Sequence, residues 1–290
     1  MRLWRPPRND GFMKPAWLNK KINLKDCSAM KQDLRNLGVE TVCEQAMCPN
    51  IGECFSVKTA TFLILGKNCT RSCSFCNIQK AKPLAVDKDE PERVAQAVEK
   101  LGLKHVVITS VTRDDLSDGG AGIFAQTVIC IRKELPQVKI EILIPDFGLS
   151  RNALRIVVDA KPDIIAHNLE TVPSLYQQVR QGADYLGSLG LLRWLKEISL
   201  QLRTKSGLML GLGEKTAEVL IVMQDLRSVR CDFLSIGQYL APSKQHYPVK
   251  EYISPGQFDD YKEKASRLGF LHIESAPYVR SSYMAAQYLS

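Results

Sequence analysis

Residues 59–76 read TATFLILGKNCTRSCSFC, and the rest of the chain can be read outward from them. The first part, Thr59 to Leu65, is β-branched and apolar, as a buried strand is. The second part turns polar and sets Cys69, Cys73 and Cys76 at C-x3-C-x2-C spacing in the loop that follows. Downstream the pattern repeats without the cysteines. Glu90 to Leu101 carries Val94, Ala97, Val98 and Leu101 at helical spacing, with Pro91 suited to a first turn. The runs HVVITS (His105 to Ser110), KIEILIP (Lys139 to Pro145), DIIAH (Asp163 to His167), SGLMLG (Ser206 to Gly211) and DFLSIG (Asp232 to Gly237) read as strands. Between and after them, Ile123 to Leu135, Arg151 to Asp159, the segments reaching Glu197, Lys215 to Val229 and Pro255 to Leu268 read as helices.

Six β-then-α units call for a parallel sheet with right-handed crossovers. Six fall short of the eight of a closed TIM barrel. The expected fold is therefore α/β, a partial, open-sided (β/α)6 TIM-like barrel over residues 59–269. Residues 1–58 form an N-terminal extension and residues 270–290 a C-terminal tail. Polar, glycine-rich segments such as VTRDDLSDGG, HNLETV, GLGEK and QYLAPSKQHYP follow the strands. That is where α/β folds place their active sites.

Of the 290 residues, 45% are hydrophobic and 24% charged, which excludes dominant disorder. No run of about 18 uncharged apolar residues exists, so no membrane span is expected. The start, MRLWRPPRND, has Pro-Pro where a secretory peptide needs an apolar run, so a cytoplasmic location is expected. Thirty-nine basic against 31 acidic residues leave a net charge of +8. The excess is diffuse, which argues against nucleic acid and leaves an acidic protein partner open. Nine cysteines, an odd number without secretory features, argue against a disulfide framework. Cys27, Cys130 and Cys231 are scattered, as small buried thiols are.

The other six form two triplets. Cys43, Cys48 and Cys54 are spaced C-x4-C-x5-C, ahead of Cys69, Cys73 and Cys76. Structural zinc prefers pairs of C-x2-C and four closed ligands, and neither triplet provides a C-x2-C pair plus a matching partner. Iron–sulfur clusters accept irregular loop spacings, and three thiolates on four irons leave one iron open for an external chelator. Zinc remains the main rival for the first triplet.

At Cys69, Cys73 and Cys76, with Phe75 before the last, the sequence resembles the radical S-adenosylmethionine superfamily. With the upstream triplet, TRDDLSDGGA, HNLET, SGLMLGLGE, GQYLAPSKQHYPVKEY and Arg280-Ser281-Ser282-Tyr283, it is similar to the lipoyl synthase family from about residue 14 onward. The resemblance implies two [4Fe–4S] clusters and S-adenosylmethionine. Cys69, Cys73 and Cys76 would hold the cluster whose open iron binds the cofactor's amino and carboxylate groups. Cys43, Cys48, Cys54 and Ser282 would hold an auxiliary cluster, with Ser281 the alternative should the register differ. Asn168 and Glu170 are implied for ribose and amino contacts, Arg180 for the carboxylate, and Arg113 for substrate. No catalytic residue beyond the clusters is implied.

The implied reaction inserts sulfur at C6 and C8 of an octanoyl chain on a lysine of a lipoyl carrier domain. Unactivated C–H bonds offer no acidic proton and no leaving group, so a primary carbon radical from the cofactor must begin it. The auxiliary cluster would donate the sulfur. Implied partners are octanoylated 2-oxoacid dehydrogenase E2 subunits and the glycine cleavage H protein, with ferredoxin or flavodoxin supplying electrons. A biotin synthase-like enzyme would lack the upstream triplet, and a zinc-stabilised binding module would use both triplets structurally.

Overall fold

Seven strands run parallel and pair in chain order. They are β1 (Thr61–Ile64), β2 (His105–Ser110), β3 (Lys139–Leu143), β4 (Ile164–Ala166), β5 (Arg203–Leu210), β6 (Phe233–Gln238) and β7 (His272–Ser275). The structure, a computed structural model, describes residues 2–4, 15–22, 27–46, 48–56 and 59–289. A two-residue edge, Glu40–Thr41, pairs antiparallel with β1, Glu40 facing Leu63. Leu63 pairs with Thr109, Ile108 with Ile142, and Ile142 with Ile165, so the β1 to β4 register is continuous. The outer strands, β7 and Glu40–Thr41, do not pair with each other. The sheet is a partial barrel with an open side, as the sequence pattern implies.

Each helix of the repeat begins and ends for a local reason. In α1 (Glu90–Leu101) Pro91 occupies the first turn, and Gly102, at φ 60°, stops the helix in the left-handed conformation that glycine tolerates. In α3 (Arg151–Asp159) the Ser150 side chain accepts from the Ala153 amide, and in α6 (Pro255–Arg267) Ser254 accepts from Gln257. The remaining crossovers are α2 (Ala121–Glu134), α4 (Tyr185–Ile198) and α5 (Thr216–Ser228). The helices cover the outer face, so strand residues on both faces are buried. All four residues of β1 are buried, and Phe62, Phe124, Ile140, Ile142 and Leu154 are fully so. Each such side chain contributes about 1.5–3 kcal/mol over leaving it exposed.

The strand β7 lies inside the segment read from sequence as a tail. Only Ile273 and Ser275 of its four residues are buried, and so polar a run gives little strand signal. After it, the chain returns over the strand ends, where the Gln238 amide donates to the Pro277 carbonyl. It then reaches the opposite end of the barrel, where the Tyr288 ring lies 5.4 Å from Phe233 and 4.7 Å from His272. There it meets a buried charge pair. Lys205 on β5 donates to both oxygens of Glu141 on β3, at 3.0 and 3.2 Å, and its Nζ sits 3.7 Å from the Tyr288 ring centre. Burial opposes ionisation of Glu141, yet Lys205 and His105 hold its carboxyl below the usual range. Among the described residues, no helix is long and apolar enough to cross a membrane.

Removing one member of a buried pair strands the other. Lys205→Met is expected to cost about 3–5 kcal/mol in denaturant unfolding, and adding Glu141→Leu should recover most of it. A second latch sits at the start of β4. Asp163 accepts from the Ile140 amide at 2.9 Å, from Arg132 at 2.8 Å and from Lys139 at 3.2 Å. Burial works against its charge, but these donors hold its carboxyl below the ordinary 3.8. Its contribution is therefore complete above that value and lost as pH falls through the depressed one. Asp163→Asn should be less stable than the parent at pH 7, and the difference should shrink below about pH 4 in urea titrations.

Candidate active site

The C-terminal ends of the strands open into a cavity of about 480 Å³. Cys69, Cys73 and Cys76 line it from one side, and Cys43 and Cys48 from another. Cys54 does not line it, but packs against the core within the helix Ile51–Ser56. Ser281, Ser282 and Arg280 of the tail also line the cavity. The two triplets, 33 positions apart at their extremes in sequence, thus share one space with the tail.

The second cysteine loop is held from all sides. The Thr70 amide donates to the Thr112 carbonyl at 3.1 Å, and the Ser74 amide to Val179 at 3.0 Å. The Tyr247 amide donates to the Ser74 carbonyl at 2.9 Å, while His246 reaches the Cys76 carbonyl at 3.2 Å. Between Cys69 and Cys73, Arg71 spans two strand ends. Its guanidinium bonds both oxygens of Asp114 after β2, at 2.8 and 3.0 Å, and both oxygens of Asp146 after β3. Asn77, next to Cys76, donates to the Gln45 carbonyl at 2.9 Å, tying this loop to the first triplet.

The first triplet is shaped by short helices. Thr41 caps Val42–Gln45, its hydroxyl accepting from the Glu44 amide, and the Cys48 amide returns to the Cys43 carbonyl at 3.1 Å. Burial pushes the Cys43 thiol up to about 12, helped by neighbouring Cys48 and Cys54. Burial likewise pushes Cys76 up to about 12 and raises Cys73. Buried thiols this close together ionise only when a cation replaces their protons.

Arg180 enters the cavity wall after the helical turn Tyr176–Val179. Its guanidinium donates to Tyr176 Oη at 2.9 Å and Ser188 Oγ at 3.1 Å, and lies 3.4 Å from His167 Nε2. Burial and the Arg180 charge push His167 down to about 3, so it is a neutral support. Among the described residues, no carboxylate lies within ion-pair distance of Arg180. Glu170 faces the same space. It adopts φ 68°, unusual for a non-glycine residue, because its amide and carbonyl bridge to β5 through Gly207 and Met209. Burial raises its carboxyl, against the pull of Arg180 and the amide of Asn168.

Arg113 is placed elsewhere. It is 2% exposed, does not line the cavity, and donates twice to Asp115 at 2.8 Å and once to the Leu65 carbonyl. With its fork so occupied, it serves the turn after β2 and has no free face for a substrate. The sequence reading also missed Arg71, Asp146, Tyr176 and Ser188. Only a three-dimensional pairing distinguishes them from ordinary surface residues, although Arg71 between two cysteines was a signal available in the sequence.

The superfamily profile "Radical SAM superfamily" matches residues 63–226. Lipoyl synthase of Geobacter sp. (strain M21) is 57% identical over 280 residues, covering 97% of this chain and 96% of that protein. Lipoyl synthase of Caldanaerobacter subterraneus subsp. tengcongensis is 53% identical over 272 residues, covering 94% and 95% respectively. The chain belongs to the lipoyl synthase family. Among solved structures, methylornithine synthase superposes with a TM-score of 0.57 at 16% identity, over 74% of this chain and 70% of that one. Coproporphyrinogen III oxidase from Escherichia coli gives 0.52 at 15%, over 71% and 52%. At such identities these two speak for the barrel alone.

Lipoyl synthases are radical SAM enzymes, so S-adenosylmethionine and [4Fe–4S] clusters are the cofactors. The donors present fit them. Cys43, Cys48, Cys69, Cys73 and Cys76 carry free thiols. Among the described residues, no three His, Cys, Asp or Glu converge tightly enough for a single ion, whereas a four-iron cluster spaces its thiolates more widely. The Arg180 guanidinium, with no carboxylate in ion-pair contact among the described residues, suits a carboxylate.

The Arg71 clamp generates a direct expectation. Arg71→Lys keeps a charge but cannot bridge two carboxylates as a planar fork does. Iron after anaerobic reconstitution should fall from about eight per chain toward about four. Hydrogen exchange over residues 69–76 should rise in the metal-free protein, where a purely metal-side effect would leave it unchanged.

Proposed function

We propose that the chain inserts sulfur at C6 and C8 of an octanoyl group carried on a protein lysine, giving lipoyl-lysine. The observation that carries this reading is one cavity lined by Cys43 and Cys48, by Cys69, Cys73 and Cys76, and by Ser282. Cys69, Cys73 and Cys76 hold the cluster that binds S-adenosylmethionine; Cys43, Cys48 and Cys54 hold the auxiliary one, with Ser282 as fourth ligand. When bound, these groups supply a carbon radical and sulfur, which no side chain can provide.

The chain's own residues bind and orient. Arg180 offers its fork to the methionine carboxylate, kept in place by Tyr176, Ser188 and neutral His167. Glu170 takes the amino group, and its buried position strengthens that contact. Asn168 contacts the ribose. Leu63, Val111, Leu143, Ile144 and Leu208 give the cavity apolar walls, which suit an octanoyl chain and exclude water. The hydroxyl of Ser282 is a hard donor among soft thiolates, and so the weakest hold on its iron.

The carrier is a small lipoyl domain, of an E2 subunit or the H protein, steered by the positive net charge of this chain. Ferredoxin or flavodoxin supplies electrons. The free cysteines suit a reducing compartment, the cytoplasm.

The test is iron and sulfide content after anaerobic reconstitution, with S-adenosylmethionine cleavage, in the parent and a C69A/C73A/C76A variant. About eight irons should fall to about four, with cleavage abolished. Four in the parent and none in the variant would remove the first triplet from the reaction. Bound zinc would sink the reading altogether.

A further inference from the structure

One side-chain contact joins the tail to the cofactor side of the cavity. Asn168, just beyond β4 and 6% exposed, donates through Nδ2 to Glu170 Oε1 at 3.0 Å and to Ser281 Oγ at 2.5 Å. The second contact spans 113 residues of sequence. We propose that Ser281 is a positioning residue that fixes Asn168 and Glu170 for S-adenosylmethionine, leaving Ser282 alone to ligate iron. The proposal rests on the assignment of those two residues to the cofactor, made above.

The side-chain amide of Asn168 is oriented by its acceptors. A carboxylate only accepts, so Glu170 fixes which side of the amide carries nitrogen. Asn168 Oδ1 is then turned away, buried and without a partner in the protein. A side chain at Gly207 would come within 2.8 Å of that oxygen, so glycine there leaves it room. A buried, unpaired amide oxygen is costly, and an unrestrained side chain would rotate to relieve it. What prevents rotation is the pair of acceptors on Nδ2. Glu170 lies on the same strand end and shifts with Asn168. Ser281 comes from a different segment and supplies an independent anchor.

The tail is itself immobilised at this point. A Cβ at Gly237 would fall 2.0 Å from the Val279 carbonyl, so the tail crosses directly against β6. Asn50 donates to the Tyr278 carbonyl at 2.7 Å, and Tyr283 donates to Glu53 at 2.8 Å. Both partners belong to the segment that carries the first cysteine triplet. Ser281 therefore ties Asn168 to the position of that segment. The unpaired Oδ1 is the acceptor held ready for a ligand donor, either hydroxyl or ammonium.

The experiment compares the reconstituted parent with Ser281→Ala, Ser281→Thr, Ser282→Ala, Asn168→Ala and the S281A/N168A double variant. Iron per chain and the equilibrium Kd for S-adenosylmethionine are measured for each. Ser281→Ala should keep about eight irons and bind the cofactor about tenfold more weakly, a single buried hydrogen bond being worth that order. Ser281→Thr, which retains the hydroxyl, should restore the parent Kd. The double variant should bind no more weakly than Asn168→Ala alone, because both remove one contact. Ser282→Ala should alter auxiliary-cluster iron or its spectrum while leaving Kd within about twofold.

An unchanged Kd in Ser281→Ala, or additive losses in the double variant, would overturn the proposal. Loss of auxiliary iron in Ser281→Ala would also overturn it, since Ser281 would then be the ligand. Should Ser281→Ala fail to fold, Ser281→Gly carries the same comparison. Failure of the underlying assignment has a separate signature: Asn168→Ala would then bind the cofactor as tightly as the parent.

Discussion

An open barrel has a physical problem that a closed one does not: its interior needs filling from outside the strand repeat. In this chain the C-terminal tail meets that need, and Lys205 anchors it. A buried ammonium must have partners. Glu141 neutralises it from across the sheet, and the Tyr288 ring covers it at 3.7 Å. The tail's end is thereby fixed at the N-terminal rim of the barrel, while Ser281 and Ser282 reach the cavity at the opposite rim. With both ends fixed, the few residues between have little freedom. The position of the serines is thus set partly by a charge pair that never approaches the cavity.

The cavity's electrostatics follow from what its walls withhold. Arg180 is supported by a phenol, a hydroxyl and a neutral imidazole, none of which cancels its charge. Arg71, only seven residues beyond β1, is treated in the opposite way, with two carboxylates fully engaging its fork. One guanidinium is structural because it is neutralised; the other is available because it is not. The same contrast separates Arg113, paired with Asp115, from Arg180. Burial raises the thiols of Cys43, Cys73 and Cys76, so these three stay protonated until a cation displaces their protons.

Much of this was legible from residue order. The strands β1 to β6 coincide with apolar runs, and α1 and α3 with the periodic segments Glu90 to Leu101 and Arg151 to Asp159, because burial on one or both faces writes itself into composition. The cysteine spacings survive in sequence because loop chemistry is local. What did not show were relations between distant segments. The strand β7 is short and half polar, so its place beside β6 is decided by tertiary pairing. Arg113 is a separate case: its partner Asp115 is only two positions away, but only the fold shows that the two side chains meet. Asn168 and Ser281 lie 113 positions apart, and nothing in either neighbourhood announces the other.

These relations also bear on how the site forms. Cys43 and Cys54 sit on two short helices, Val42–Gln45 and Ile51–Ser56, too short to be stable alone, with Cys48 between them. Their support comes from Asn77 to Gln45, from Asn50 to Tyr278 and from Tyr283 to Glu53, contacts with the barrel and the tail. Contacts of such sequence separation form late, after the loop-closure cost has been met by other interactions. The barrel and the clamped loop at Cys69, Cys73 and Cys76 need only strand-end neighbours, whereas the surroundings of Cys43, Cys48 and Cys54 need both ends of the chain. The second triplet is thus shaped by the barrel itself, and the first by a junction that exists only when extension, barrel and tail have met. On the proposed assignment of Ser282, a serine placed in that junction would report whether it has closed, which would be a physical reason for an oxygen donor to come from the tail and not from the extension that carries the thiols.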